Sequence, residues 1–160
     1  MVLNNWYIML NKAIGSDNPL PVKSTTGSTY TNYSVNQSAS GMNLLLLKGD
    51  KVYFGTSATT YGGYFIGSGT TPPQPTDYKL EEQITTEGIT SIVSDVGATR
   101  RITITNNSKS EITISEIGVC GYATTCYILT ERTLLETPIT ISPNESGTID
   151  YKIELQLPEE

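Results

Sequence analysis

Cys120 and Cys126 flank Gly121-Tyr122-Ala123-Thr124-Thr125, and a hairpin at that point would bring the two sulfurs face to face. A disulfide closing so short a loop contributes only about 2.4 kcal/mol in the chain-entropy estimate. Two packed, reduced thiols are therefore favoured over a Cys120–Cys126 bridge, since residues 1–10 carry neither the basic leader nor the small-residue cleavage site of a secretion signal. The spacing does not match a zinc ligand pair, no second cysteine pair exists, and the chain has no histidine. A redox pair would stand as Cys-x-x-Cys at a helix start. Without histidine, Ser-His and Cys-His hydrolysis in their ordinary forms are excluded.

Carboxylates are the remaining reactive groups. Asp77, Glu81, Glu82 and Glu87 cluster in sequence, which admits a glycan-cleaving pair, although solvated charges around a turn explain them at least as well. Asp17, Asp50 and Asp95 stand beside Gly, Asn or Ser without calcium-loop spacing. Gly67-Ser68-Gly69-Thr70 has the look of a phosphate loop, yet no Lys-Ser or Lys-Thr follows and Pro72-Pro73 prevents an immediate helix. No catalytic residue, cofactor or metal ligand is expected. Recognition chemistry has a better footing in the ten tyrosines and single tryptophan. Tyr30, Tyr33, Tyr61, Tyr64 and Tyr78 fall in or near loop-like stretches, where rings either fasten loops to the core or meet a sugar or protein.

The elements that must carry these groups are strands. Thr, Ser, Asn, Gly and Tyr are abundant while charged residues make up 16% of the chain, a composition suited to pleated surfaces and tight bends. At 160 residues, one domain with one main core is expected, burying roughly 70% of the extended chain's surface. The net charge of −6, with Arg100-Arg101 as the one adjacent basic pair, argues against nucleic acid. No stretch reaches the about 18 apolar residues of a membrane span.

Residues 6–10 are apolar throughout and predict a first strand buried on both faces. Residues 15–41, rich in Ser, Thr, Asn, Gly and Pro, predict a long irregular loop region or assembly arm. Residues 44–47 and 52–54 read as short strands around a Lys48-Gly49-Asp50-Lys51 turn, and 64–66 as another. The prolines of residues 67–78 predict a stiff extended connector over the surface, followed by a helical turn or strand at 77–81. Strands are then expected over 89–93, 101–105, 111–119, 126–129 and 139–141, with a hairpin turn at 106–110 and a turn at 143–147. Residues 149–157 alternate apolar and polar without a miss, giving one dry face and one wet face. Together these elements predict an all-β domain, an antiparallel β-sandwich or jelly roll.

One break in parity stands out. Ile112 and Ile114 should share a face, whereas Ile117 and Val119 have the opposite parity. Either a β-bulge near residues 115–118 returns the later pair to the core, or the strand is dry on both faces with Glu116 turned inward. Arg132, on the next strand, is then the candidate partner for Glu116. Losing one member of a desolvated pair costs about 3 kcal/mol, and of an exposed pair less than about 1 kcal/mol.

The run Gly67-Ser68-Gly69-Thr70-Thr71-Pro72-Pro73-Gln74-Pro75-Thr76-Asp77-Tyr78-Lys79-Leu80-Glu81 is followed by Ile114-Ser115-Glu116-Ile117-Gly118-Val119. Leu129-Thr130-Glu131-Arg132-Thr133, Pro138-Ile139-Thr140-Ile141-Ser142-Pro143 and the terminal alternating strand come after it. Over residues 64–157 this order resembles that of tailed-bacteriophage virion proteins. The resemblance implies a non-enzymatic β-rich part of the head surface, neck, tail or fibre, associating with copies of itself and other virion proteins after assembly in the host cytoplasm. It also accommodates a phage-borne module for a surface glycan or receptor. The cysteine pair around Tyr122 and the Ser/Thr-rich early segment depart from that pattern.

Overall fold

The computed structural model describes residues 1–13, 20–31, 52, 63–85, 87–96, 99–123 and 126–152. Their elements are α1 (Asn4–Ala13), β1 (Val22–Lys23), β2 (Thr29–Tyr30), β3 (Gly63–Gly67), β4 (Ile89–Val96), β5 (Thr99–Asn106), β6 (Ile112–Ala123), β7 (Cys126–Ile141) and β8 (Ser146–Tyr151). The fold is all-β apart from α1, with antiparallel sheets ordered β3-β6-β7 and β4-β5-β8, and a two-residue ladder between β1 and β2.

Period two governs the second sheet. On β5, Ile102, Ile104 and Asn106 are buried while Arg101 is exposed, and on β8 Ile149 is buried between exposed Thr148 and Asp150. Residues 153–157 of the expected terminal strand lie outside the described residues. The inward isoleucines of this sheet join Tyr64, Ile66, Ile114, Ile117 and Val119 of the first sheet in one apolar cluster. Tyr151 adds a strut between the sheets, since its hydroxyl donates to Glu131 Oε2 at 2.6 Å and its ring meets that of Tyr64 edge-on.

Residues 6–10 do not form a strand. They lie inside α1, where Asn5 and Met9 are buried and Asn4, Tyr7 and Asn11 are exposed, a spacing of three and four that becomes visible only in the wider window. Asn5 fastens the helix to the sheets, its Nδ2 donating to Lys23 O at 3.0 Å and Leu129 O at 3.1 Å.

The turn at residues 106–110 is not a hairpin, because β5 pairs with β4 and β8 whereas β6 pairs with β3 and β7. It carries the chain from one sheet to the other. Buried Asn106 pins the crossing: its Nδ2 donates to Ser110 O and Ile141 O, at 2.8 and 2.9 Å, and its Oδ1 accepts from the Ser108 amide and hydroxyl. Its own backbone bonds Asn144 and Glu145 in the turn before β8, where Asn144 adopts φ 65°.

The parity break is the expected irregularity near residue 115: the register shifts between Ile114 and Glu116, and Ile112, Ile114, Ile117 and Val119 all reach the same apolar cluster. Between the pairs Ile114↔Ile139 and Glu116↔Leu134, β6 contributes Ser115 alone while β7 contributes Leu135, Glu136, Thr137 and Pro138. A second shift, between Val119↔Glu131 and Cys120↔Leu129, leaves Thr130 extra on β7, with its hydroxyl donating to Val119 O at 3.0 Å. Residues 114–121 are buried at every position, so this part of β6 is dry on both faces. On the face away from the main cluster, Cys120 packs with Leu3, Phe65, Leu80, Tyr127 and Leu129.

Both margins of that sheet carry local bridges from other segments. Val2 bridges Glu131 on the β7 side, and on the β3 side Gln83 bridges Gly67 and Val52 bridges Tyr64. Residues 44–47 and 53–54, and residues 15–19 and 32–41 of the expected loop region, lie outside the described residues; within 20–31 that region folds as the β1–β2 ladder.

Candidate functional site: a carboxylate and guanidinium enclosed by the proline connector

Residues 67–83 leave β3, cross the outer face of its sheet and return beside it, with Ser68 N donating to Glu82 O and Ile84 N to Ile66 O, both at 2.9 Å. The connector is not the extended rod its prolines suggest. It turns at residues 74–77, where Asp77 N donates to Gln74 O at 3.0 Å and Asp77 Oδ2 accepts from Gln74 N at 2.9 Å. Residues 77–81 are neither helix nor strand; they sink Leu80 into the apolar cluster around Cys120.

The connector closes over Glu116, which is fully buried. Its Oε1 accepts from Gly69 N at 3.2 Å and Glu82 N at 2.9 Å; its Oε2 accepts from Glu81 N at 3.3 Å and Arg132 Nε at 2.7 Å. Arg132, 3% exposed, turns its other nitrogens outward: Nη1 donates to Asp77 Oδ2 at 2.7 Å and Nη2 to Thr71 O at 3.0 Å. Glu81 Oε2 lies 3.7 Å from that Nη2 and accepts from the amides of Thr70 and Thr71, at 2.7 and 2.8 Å. The Thr71 hydroxyl donates to Glu81 Oε1. A buried ion pair is favourable only when its remaining lone pairs and protons are also bonded, and here backbone amides and carbonyls complete the set.

Two glycines make this enclosure sterically possible. A Cβ on Gly67 would stand 2.4 Å from Glu116 Oε1, and one on Gly69 2.5 Å from the same atom. Gly67-Ser68-Gly69-Thr70 does not wrap an anion as a phosphate loop would: Gly69 N alone of its amides donates to Glu116, while Ser68 N bonds Glu82 O and Thr70 N bonds Glu81.

Electrostatics follow the bonding. The Thr71 hydroxyl and amide hold the Glu81 carboxyl below its usual range. Burial opposes the charge on Arg132, but Asp77 and Glu116 outweigh it and raise its pKa. Beside the cluster lies a cleft of about 340 Å³, lined by Thr71, Asp77, Tyr78, Leu80, Glu81 and Arg132. The ammonium of Lys23 covers one face of the Tyr78 ring, 3.8 Å from its centroid.

The structure brings Glu116 and Arg132 together and adds Asp77 and Glu81, which sequence spacing grouped without assigning them this partner. It disperses the tyrosines. Tyr64 is a core residue of β3 and not a loop anchor, Tyr30 packs half-buried on Met9, Val22 and Ile128, and Tyr78 is half-buried at the cleft. Tyr33 and Tyr61 lie outside the described residues, as do Asp17 and Asp50. Asp95 binds Arg100 at 2.7 Å.

Cys120 is a free, buried thiol that donates to Gly63 O at 3.3 Å, and burial pushes its pKa up to about 12. It stands opposite Leu129, while the backbone of Cys126 stands opposite Ala123. No group of three or more potential metal ligands occurs among the described residues. The buried roles of Asn106 and Glu131 escaped sequence reasoning: Asn106 bonds backbone groups of Ser110 and Ile141, and Glu131 accepts from the Met1 ammonium and the Thr133 and Tyr151 hydroxyls, partners distant in sequence except Thr133. No protein-family model matches the chain, and comparison with the curated proteins and with the solved structures finds no match.

Proposed function

We propose that this chain is a non-enzymatic structural component of a tailed-phage particle, built as a β-sandwich and working through contacts with copies of itself and other virion proteins. The sandwich reading is supported by the single apolar cluster shared between the β3-β6-β7 and β4-β5-β8 sheets. The observation that carries the functional reading is the enclosure of Glu116 and Arg132. The connector on which the virion resemblance rests is locked to the sheet by charged groups whose hydrogen bonds are spent inside the protein. Such a connector gives a subunit a fixed outer surface, which is what a repeating assembly requires.

The test is mass spectrometry and immunogold microscopy of particles purified from a culture that produces this chain. Several copies per particle are expected, with gold at the head surface, neck, tail or fibre; a chain confined to the particle-free fraction would overturn the reading.

A second reading, a phage-borne glycan- or receptor-binding module, is favoured by the cleft in which the Tyr78 ring stands beside Asp77 and Glu81. Saturable binding on a host-surface glycan array, lost in Tyr78→Ala, would establish it; the absence of saturable binding counts against it.

A further inference from the structure

We infer that β4 is a self-association strand: two copies of the chain pair their β4 edges antiparallel about a two-fold axis at Ile92, joining the β4-β5-β8 sheets into one continuous six-stranded sheet. The contact deepens the proposed assembly role and rests on it for its biological purpose, but its geometry stands on β4 itself.

The molecule treats its sheet margins unequally. The β3-β6-β7 sheet has both margins bridged by other segments. In the other sheet, β8 is a six-residue edge bearing the exposed charge of Asp150, with exposed Lys152 directly after it. The β4 edge is eight residues long, pairs with β5 at every position without a bulge, and contains neither proline nor lysine. Proline, lysine and bulges are among the devices that keep an edge from pairing, and β4 has none of the three; its one charge, Asp95, stands near the strand's end and is held by Arg100 at 2.7 Å. Among the described residues, no backbone hydrogen bond from another segment reaches its open side.

Which groups face outward follows from the ladder. Asn107 N donates to Gly88 O at 2.8 Å, so Gly88 turns its backbone toward the β5 side. Alternation then gives β5 the amides and carbonyls of Thr90, Ile92 and Ser94, and leaves those of Ile89, Ser91, Val93 and Asp95 on the open edge. The side chain of Ile92 is 71% exposed, the highest of the large apolar residues described.

Centring an antiparallel pair on Ile92 places Ser91 opposite the partner copy's Val93 and Ile89 opposite the partner copy's Asp95. Each of these pairs can exchange two backbone hydrogen bonds. Ile92 then faces its own counterpart at a non-hydrogen-bonded position, where side chains come closest. Shifting the centre to Val93 retains the overlap but sets Ile92 against a serine. In the Ile92 register no like charges stand directly opposite each other despite the chain's net charge of −6, because Asp95 lies opposite Ile89 and is already bound to Arg100. The outer surface nearest the joint carries the hydroxylated Thr90, Thr103, Thr105, Ser146 and Thr148, and its charges, Arg101 and Asp150, neutralise each other at 2.7 Å. A contact of one strand per copy is smaller than the roughly 1,600 Å² of a standard interface, so a concentration-dependent dimer is expected, strengthened when many copies are held together.

The experiment is sedimentation equilibrium of the full chain and of Ile92→Lys across a concentration series, alongside air oxidation of Ile92→Cys with peptide mapping of the link. Circular dichroism confirms that both exposed-site variants remain folded. The expected result is a wild-type monomer–dimer equilibrium, weakening by more than about tenfold in Ile92→Lys, and an intermolecular disulfide mapped to position 92 of both copies. A wild type that is monomeric throughout, or a dimer unaffected by Ile92→Lys and giving no 92–92 link, overturns the inference. A dimer through another surface leaves the virion reading standing, whereas absence of the chain from purified particles sinks that reading and leaves a β4-linked dimer intact.

Discussion

Arg132 Nε lies 2.7 Å from Glu116 Oε2 although the two residues are not cross-strand partners; Arg132 stands opposite Gly118, and Glu116 opposite Leu134. The contact is diagonal, of the kind that only long side chains span. Removing either member leaves the other charge buried, so Arg132→Leu and Glu116→Leu are each expected to cost about 3–5 kcal/mol in urea denaturation. The double variant should not recover the loss, because the amides of Gly69, Glu81 and Glu82 would still lack their acceptor. Arg132→Lys should fall between, since one ammonium cannot serve Glu116, Asp77 and Thr71 in their separate directions. Arg101→Ala breaks the exposed bidentate pair with Asp150 and should shift stability by less than about 1 kcal/mol.

Gly69→Ala tests whether the connector is clamped by shape as well as charge. The added methyl would meet Glu116 Oε1 at 2.5 Å and Glu81 Cβ at the same distance, so one carboxylate or the connector must move. A loss of about 1–3 kcal/mol is expected, together with faster proteolytic cleavage in residues 70–76 under native conditions. Unchanged stability and unchanged cleavage would show that the connector yields freely.

How far this site was legible depends on what kind of partner each residue has. Strands whose inward residues meet other apolar side chains announced themselves by parity, as Ile102, Ile104 and Ile149 did. Glu116 was conspicuous because it broke that parity, and Arg132 followed as the nearby cation. The rest of its shell was silent, since backbone amides of Gly69, Glu81 and Glu82 carry no residue-type signature. Asn106 misled for a related reason: Asn-Asn-Ser-Lys-Ser suits a hairpin and a crossing between sheets equally, and the choice rests on Asn106 reaching Ile141 O from another strand. The α1 segment deceived by brevity, its apolar core hiding the spacing of Asn4, Tyr7 and Asn11.

Glu81 predicts acid sensitivity of the connector. Its folded pKa is depressed below 4.5, first by the Thr71 hydroxyl, so its contribution is present above the unfolded value and is lost as pH falls through the folded one. The urea midpoint should therefore decline as pH drops below about 4.5. Glu81→Gln should start from a lower midpoint at neutral pH and decline less steeply over the same window. Parallel pH profiles for the two proteins would refute the assignment.

Cys120 predicts the opposite dependence at alkaline pH. Burial lifts its thiol from 9.0 to about 12, so the folded state retains a proton that the unfolded chain has already released. Between those values the unfolded state binds fewer protons, and stability must fall as pH rises, by up to about 1.4 kcal/mol per pH unit. Tyr151, raised by burial and then by the Glu131 carboxylate, acts in the same direction from its own ordinary value upward. Comparing the slope of stability against pH from about 9 upward in Cys120→Ala with that of wild type isolates the thiol's share: the variant is less stable at neutral pH and its slope is shallower. In a Cys126→Ala background, a thiol-reactive dye should label Cys120 only as denaturant unfolds the chain, because its sulfur is packed among Phe65, Tyr127 and Leu129. Rapid labelling of the native protein would mean that the connector and residues 1–3 do not keep that face of the sheet closed.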